Sequence, residues 1–227
     1  MKSVLITGGT VRLGVAIAER LRADGWRVLT SSHRADAGAD IVADLAEPMG
    51  PAKLYAAAMK LLDGNPPDAL VNNAALFAGD AAAIAAVNLE SPKKLTMLMA
   101  GREAGVGAVV NILDSVVLGS LGSKATLSDP NPTLNDSKRP YLSAKRALLD
   151  FTRSAAATFA ATLRVNGVAP GPVLAPTDVH VKAGETLLDR RPTVDDVAAT
   201  VSYLLDAEST TGVVIPVDAG QHLMSEE

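Results

Sequence analysis

Lys2-Ser3-Val4-Leu5-Ile6-Thr7, followed without a break by Gly8-Gly9-Thr10-Val11-Arg12-Leu13-Gly14, sets the architecture of the chain. The first six residues form a short apolar run of the kind that builds a buried strand. From Leu13 the period changes: Leu13, Ile17, Ala18 and Leu21 recur at helical spacing as far as Gly25. A strand, a glycine-rich turn and a helix start together make an anion site. Backbone N–H groups and the helix dipole face the anion, and glycines let it approach the backbone closely. The spacing, Gly8-x5-Gly14 with an extra Gly9, is neither G-x-G-x-x-G nor a P-loop. A tight turn into a helix with no ligand would read the same way locally, so the rest of the chain decides whether a dinucleotide lies across Gly8, Thr10, Arg12 and Leu13.

The 227 residues suit one α/β domain. A net charge of −4 with scattered basic residues gives no footprint for nucleic acid or acidic membranes. The absence of cysteine removes disulfides, thiolate metal sites and cysteine nucleophiles. No apolar run reaches the roughly 18–20 residues of a membrane span. The N-terminus enters a strand directly, so no signal peptide is expected. A cytoplasmic protein with no membrane or nucleic-acid partner is the expectation, and without a supporting His/Asp/Glu cluster no metal is expected.

A second strand, residues 26–30, ends in Ser31-Ser32-His33-Arg34. In dinucleotide-binding folds the residue at this tip reads the ribose, an acid binding the 2′-OH and an Arg accommodating a 2′-phosphate. No acid occupies the tip; Asp36 and Asp40 come later. Arg34, with Ser32 and His33, therefore points to NADPH rather than NADH, the alternative being a solvated polar turn. Residues 39–43 read as a third strand ending in Asp44-Leu45, where a carboxylate can accept from the adenine amine. A helix over 52–62 and a fourth strand over 69–71 follow. The latter runs into Asn72-Asn73-Ala74-Ala75-Leu76-Phe77, whose amides serve either a crevice or the buried backbone. Residues 80–100 carry a helical pattern interrupted by Pro92, which frees a carbonyl and invites a kink. A fifth strand, 106–112, leads to Asp114 and Ser115. The stretch 116–138 has the composition of a long loop. Helix resumes at about 140–161, a sixth strand covers 163–168 and runs into Pro170-Gly171, and 172–191 look irregular. Thr193 begins a capped helix to about Leu205, and 212–218 form a seventh strand. The alternation predicts a Rossmann-like, doubly wound parallel sheet of seven strands in one domain.

Tyr141-Leu142-Ser143-Ala144-Lys145 places a phenol and an amine on one helix face. A cation beside a phenol favours the phenolate, so a lowered Tyr141 pKa is expected. With this motif in place, the chain resembles the short-chain dehydrogenase/reductase family over essentially its whole length. Thr7-Gly8-x3-Arg12-x-Gly14, Asn72-Asn73-Ala74, Asn88, Tyr141-x3-Lys145, Pro170-Gly171 and Val217-Asp218-Ala219-Gly220 occur in the family's order and approximate spacing. The resemblance implies a nicotinamide cofactor lined by Asn72, Ala74, Pro170 and Gly171, and Tyr141 as proton donor. It also implies Lys145 on the nicotinamide ribose and Asn88 supporting a relay water. A homotetramer built through the helices near 85–100 and 141–160 is implied too, with Ala155, Ala156 and Ala157 as small exposed residues allowing close packing.

Within the family the chain looks most like pteridine and dihydromonapterin reductases. Arg12 stands in Thr-Gly-x3-Arg-Leu-Gly, where those enzymes turn an Arg to the cofactor phosphates and the pterin. Ser32-His33-Arg34 resembles their NADPH-selecting turn. Asp114 takes the place of the usual catalytic Ser, and Phe77 stands where they stack an aromatic on the pterin. A pterin is a flat heterocycle suited to such stacking, and its ring nitrogen needs a proton when a C=N bond is reduced. This implies an NADPH-dependent dihydropterin reductase with Arg12, Phe77, Asp114 and Tyr141 around the substrate. Alternatives remain open: a carbonyl reductase using Ser115 or no hydroxyl partner, or an NADPH-binding regulator without catalysis. Phe77 could equally be core and Arg12 a solvated first-turn residue. Ala75 replaces a Ser common in pteridine reductases, and the Asp114–Tyr141 separation is about twice the usual one because of an insertion near 121–138. His180 and His222 read as surface or packing residues.

Overall fold

The computed structural model describes residues 1–103, 105–119, 138–173 and 186–224. Seven strands form one sheet: β1 (Ser3–Thr7), β2 (Arg27–Ser32), β3 (Ile41–Val42), β4 (Ala69–Asn72), β5 (Gly107–Ile112), β6 (Leu163–Pro170) and β7 (Val214–Val217). Their order is β3-β2-β1-β4-β5-β6-β7, and every neighbouring pair is parallel. The chain leaves β1 toward β2 on one side and returns to β4 on the other. That reversal opens a crevice beyond the C-terminal ends of the strands, where doubly wound sheets bind ligands.

The first strand is central because it is apolar on both faces. Val4 and Ile6 pack in a core with Ile17 and Leu21 of helix α1 (Leu13–Ala23), and with Val197, Val201 and Leu204 of a helix at Val194–Asp206. Leu5 points the other way, into a core with Leu54 of α2 (Gly50–Leu61) and with Leu95 and Met99 of Ser91–Ala100. A continuous run rather than an alternating one is what a parallel strand covered on both sides requires.

The helical pattern is interrupted just ahead of Pro92. A short helix α3 (Ala81–Ala85) passes into a π turn at Ala86–Glu90, and α4 (Ser91–Ala100) continues from it. Pro92 has no N–H for the carbonyl four residues back, and the Ser91 N–H bonds instead to Ala86 O, five residues back. Helix α5 spans Arg139–Thr158, and α6, Val194–Asp206, begins with a full Thr193/Asp196 capping box.

Two expectations change. Ala155 and Ala156 are buried in this chain's own core, leaving only Ala157 of that trio exposed, because the amphipathic stripe of α5 places 155 and 156 on its sheet-facing side. The third strand has shrunk to two residues at the sheet edge. The expected insertion lies, from 120 to 137, outside the described residues, as does His180. Among the described residues no helix is long and apolar enough to cross a membrane.

Candidate active site

The turn after β1 is laced to the end of β4. Thr7 Oγ1 accepts from the N–H groups of Asn73 and Ala74, each at 3.0 Å. Asn73 Nδ2 donates to the carbonyls of Thr7 and Gly8, again at 3.0 Å. A Cβ on Gly14 would overlap the carbonyl oxygen of Gly8, so the turn closes on the helix start only because that residue is glycine. Gly8 has φ +63°, and a Cβ there would stand 3.1 Å from Ala74 Cα. Helix α1 has no side-chain cap and no acid in its first turn. Of its leading N–H groups, that of Gly14 bonds to the Val11 carbonyl at 3.1 Å, and the helix start is otherwise suited to an anion.

Arg12 occupies the N-cap of α1 with φ 52° and ψ −126°. Such a conformation suits glycine and costs an Arg roughly 1–3 kcal/mol. The guanidinium hydrogen-bonds to no described residue, and Arg12 lines a cleft of about 820 Å³ that runs along the C-terminal edge of the sheet.

At one end of this cleft are Ser32, His33, Arg34, Asp44 and Leu45. Ser32 Oγ accepts from Arg34 N at 3.1 Å, and Asp44 Oδ1 accepts from Ala46 N at 2.8 Å. At the other end are Phe77, Asp114, Tyr141, Lys145, Pro170 and Gly171. Tyr141 Oη donates to Asp114 Oδ2 at 3.0 Å, while Asp114 Oδ1 accepts from Val116 N. The Phe77 ring lies 4.8 Å from the Tyr141 ring, centroid to centroid, and is 57% exposed, so it is a wall of the cleft and not core.

Lys145 is buried and donates to the carbonyl of Ile112 at 2.7 Å. Burial lowers its pKa from 10.5 to about 8, although the charge of Asp114 opposes the shift. The expected lowering of the Tyr141 pKa is reversed. Burial, the Asp114 charge and the hydrogen bond to it all push the phenol above its ordinary value. The ammonium is spent on Ile112, 5.8 Å from the phenol ring centre, and the carboxylate has taken the hydroxyl. Tyr141 is therefore held protonated.

Two of the expected residues do not line the cleft. Asn72 is buried in the sheet, donating to Asn111 Oδ1 at 2.8 Å; Asn111 in turn donates to Thr152 of α5 at 2.9 Å. Its neighbour Asn73 faces the cleft instead. Asn88 is fully buried, its amide bonded to the Leu76 and Ile84 carbonyls at 2.8 and 2.9 Å, so it steadies the loop that carries Phe77. Sequence reasoning offered the Asn73 amide to the crevice but missed Leu76, Leu113 and Val173 as lining and Thr152 as an anchor. A polar Thr152 on the Tyr141–Lys145 stripe, seven residues past Lys145, was the available signal. Ser115 is turned away, donating to Gln221 Oε1 at 3.0 Å, and does not line the cleft.

A family model described as enoyl-(acyl carrier protein) reductase matches residues 11–222. The chain belongs to the short-chain dehydrogenase/reductase family. Alternative dihydrofolate reductase 1 (FolM) from Brucella canis, solved in complex with NADP, superposes with a TM-score of 0.82. It is 32% identical, and the match covers 100% of this chain and 96% of that one. A putative ketoacyl reductase of granaticin polyketide synthesis from Streptomyces violaceoruber is 30% identical over 97% of this chain and 96% of its own. Pteridine reductase 1 of Leishmania tarentolae is 28% identical, with 96% of each chain covered. As a short-chain dehydrogenase/reductase, the protein is an oxidoreductase built for small-molecule substrates. Among its described residues, no three His, Asp or Glu side chains gather as a metal site.

Proposed function

We propose that the protein is an NADPH-dependent reductase of a dihydropterin, delivering hydride to the carbon of a ring C=N bond. The observation that carries this reading is the Tyr141–Asp114 hydrogen bond at 3.0 Å, with Ser115 committed to Gln221. A ketone reductase wants hydroxyl donors at the carbonyl oxygen. Here the second group is a carboxylate, suited to positioning or resupplying a proton for a ring nitrogen.

The cleft fits a dinucleotide. The uncapped start of α1 and the glycine turn suit a pyrophosphate, Arg34 with Ser32 and His33 a 2′-phosphate, and Asp44 an adenine amine. NADPH would supply the hydride. Lys145 would exchange its Ile112 carbonyl for ribose hydroxyls, while Asn73 and Ala74 hold the wall opposite. Phe77 offers a stacking face, and Arg12 offers donors to the pterin edge. Tyr141 gives its proton to the ring nitrogen, directly or through water, while Asp114 keeps the phenol oriented and relays a proton taken up from solvent to the phenolate left behind. The relatives that act on dihydrofolate and pteridines support this choice, and the family supports a homotetramer formed through α4 and α5.

The test is NADPH consumption with a quinonoid dihydropterin beside a panel of ketones and diketones. Dominant pterin turnover is expected. Turnover confined to ketones would overturn the substrate and favour the second reading, a carbonyl reductase, for which the ketoacyl reductase relative speaks. For Asp114→Ser, weaker pterin turnover is expected; an unchanged profile would remove Asp114 from the mechanism.

A further inference from the structure

The rim that the proposed function gives to a 2′-phosphate already holds a carboxylate. Arg34 Nε donates to Asp36 Oδ1 at 3.0 Å, and Arg34 Nη2 donates to Asp36 Oδ2 at 2.8 Å. This fork-to-fork pairing engages the same guanidinium edge that a phosphate would use. It is built locally: Ala35–Ala37 form a single 3₁₀ turn, ended by Gly38 with φ +65°, which folds Asp36 back over Arg34. Both side chains are mostly in solvent, so the pair can open. The hydrogen bonds to Arg34 hold the Asp36 carboxyl below the usual carboxylate range, so it remains ionised wherever a phosphate would be. The other acid of this loop, Asp40, is turned inward to Thr30 N and Oγ1 and cannot substitute.

We infer that Asp36 is a tethered competitor for the cofactor's 2′-phosphate at Arg34, setting how strongly the enzyme prefers NADPH over NADH. The inference rests on the reading of the cleft as an NADPH site. A phosphate reaching Arg34 must first displace the carboxylate from the guanidinium. NADH, which has a ribose hydroxyl there, has no need of Arg34 and does not compete. Asp36 therefore weakens NADPH binding selectively.

The experiment is a calorimetric measurement of Kd for NADPH and for NADH with the full chain, for wild type, Asp36→Asn, Asp36→Ser, Arg34→Ala and Arg34→Ala/Asp36→Asn. Exposed ion pairs are weak, so the expected gain is modest. Asp36→Asn and Asp36→Ser should tighten NADPH about fivefold and leave NADH within about twofold. On the Arg34→Ala background the gain should vanish, because nothing is left to compete for. An equal gain on that background would mean simple charge repulsion and would overturn the competition. Equal shifts for both cofactors, or none, would overturn it too. NADPH selectivity that depends on Arg34 but not on Asp36 sinks the inference alone. A wild-type chain that binds neither dinucleotide sinks the cofactor reading together with it.

Discussion

At the N-terminal edge of the sheet, Arg164 gives its guanidinium to three carbonyls at the end of α6: those of Leu204, Leu205 and Ala207. Asp68 takes the N–H and hydroxyl of Ser3, and Arg102 donates to the Pro67 carbonyl. At the C-terminal edge the polar groups are held differently. Among the described residues, Arg12 bonds to none, no side chain caps the start of α1, Arg34 pairs with a neighbouring loop acid, and Lys145 rests on one carbonyl. One edge uses its charges to finish the fold; the other keeps them available. Net charge or residue counts do not separate a working edge from a structural one. The difference lies in what each group has left to give.

Substitutions can break this contrast at either end. The largest effect expected is from Tyr141→Phe, which should cut kcat by about 10²–10⁴-fold while leaving NADPH affinity and melting temperature nearly unchanged. Steady-state kinetics beside calorimetry would check it, and retained turnover would remove the phenol from the chemistry. Arg164→Ala, at the structural edge, should do the reverse. It strips three helix-end carbonyls of their donor, so a loss of roughly 2–3 kcal/mol in urea unfolding is expected, with kcat unchanged below the melting transition.

Lys145 carries the contrast into pH. Its folded pKa of about 8 lies below the unfolded 10.5, so between these values the unfolded chain binds more protons. Stability should therefore rise with pH from about 8 toward 10, by at most about 1.4 kcal/mol per pH unit, and should show no such slope below 8. The raised phenol of Tyr141 acts in the opposite sense above its ordinary value of 10. Denaturant midpoints across this range should lose the rise in Lys145→Met; an identical slope in both proteins would place the lysine in a wetter setting. The smallest effect is Arg12→Gly. Relieving the positive φ should stabilise the ligand-free protein by about 1 kcal/mol, while turnover falls. A lower melting temperature would mean that the backbone there is not strained.

Much of this was legible in the chain itself. The unbroken apolar run at Val4–Ile6 announces a strand covered on both faces, Pro92 announces the break, and Thr193 with Asp196 announces a helix start. Tyr141 and Lys145 could be paired because four residues bring side chains to one helix face. What stayed hidden depends on partners distant in sequence or on direction. Nothing local says that Ser115 will meet Gln221, 106 residues away, or that Asn73 and not Asn72 will face the cleft. The direction of the Tyr141 shift depended on where two charges settle around one hydroxyl. Spacing alone placed Lys145 beside it, whereas the fold turned Asp114 to it. The alanines of α5 show the same gap: small residues read as an open surface until the helix is rotated onto its sheet.

The buried thread Asn72–Asn111–Thr152 also bears on how the sheet assembles. Asn72 and Asn111 face each other in register across β4 and β5, inside an otherwise apolar layer. Sliding β5 by one residue would set Asn111 against apolar neighbours, and each stranded amide would cost about 1–3 kcal/mol. Valine-rich parallel strands discriminate poorly among alignments by hydrophobicity alone. The two asparagines, paired with each other and through Asn111 with Thr152, favour this alignment of β4 and β5 over a slipped one.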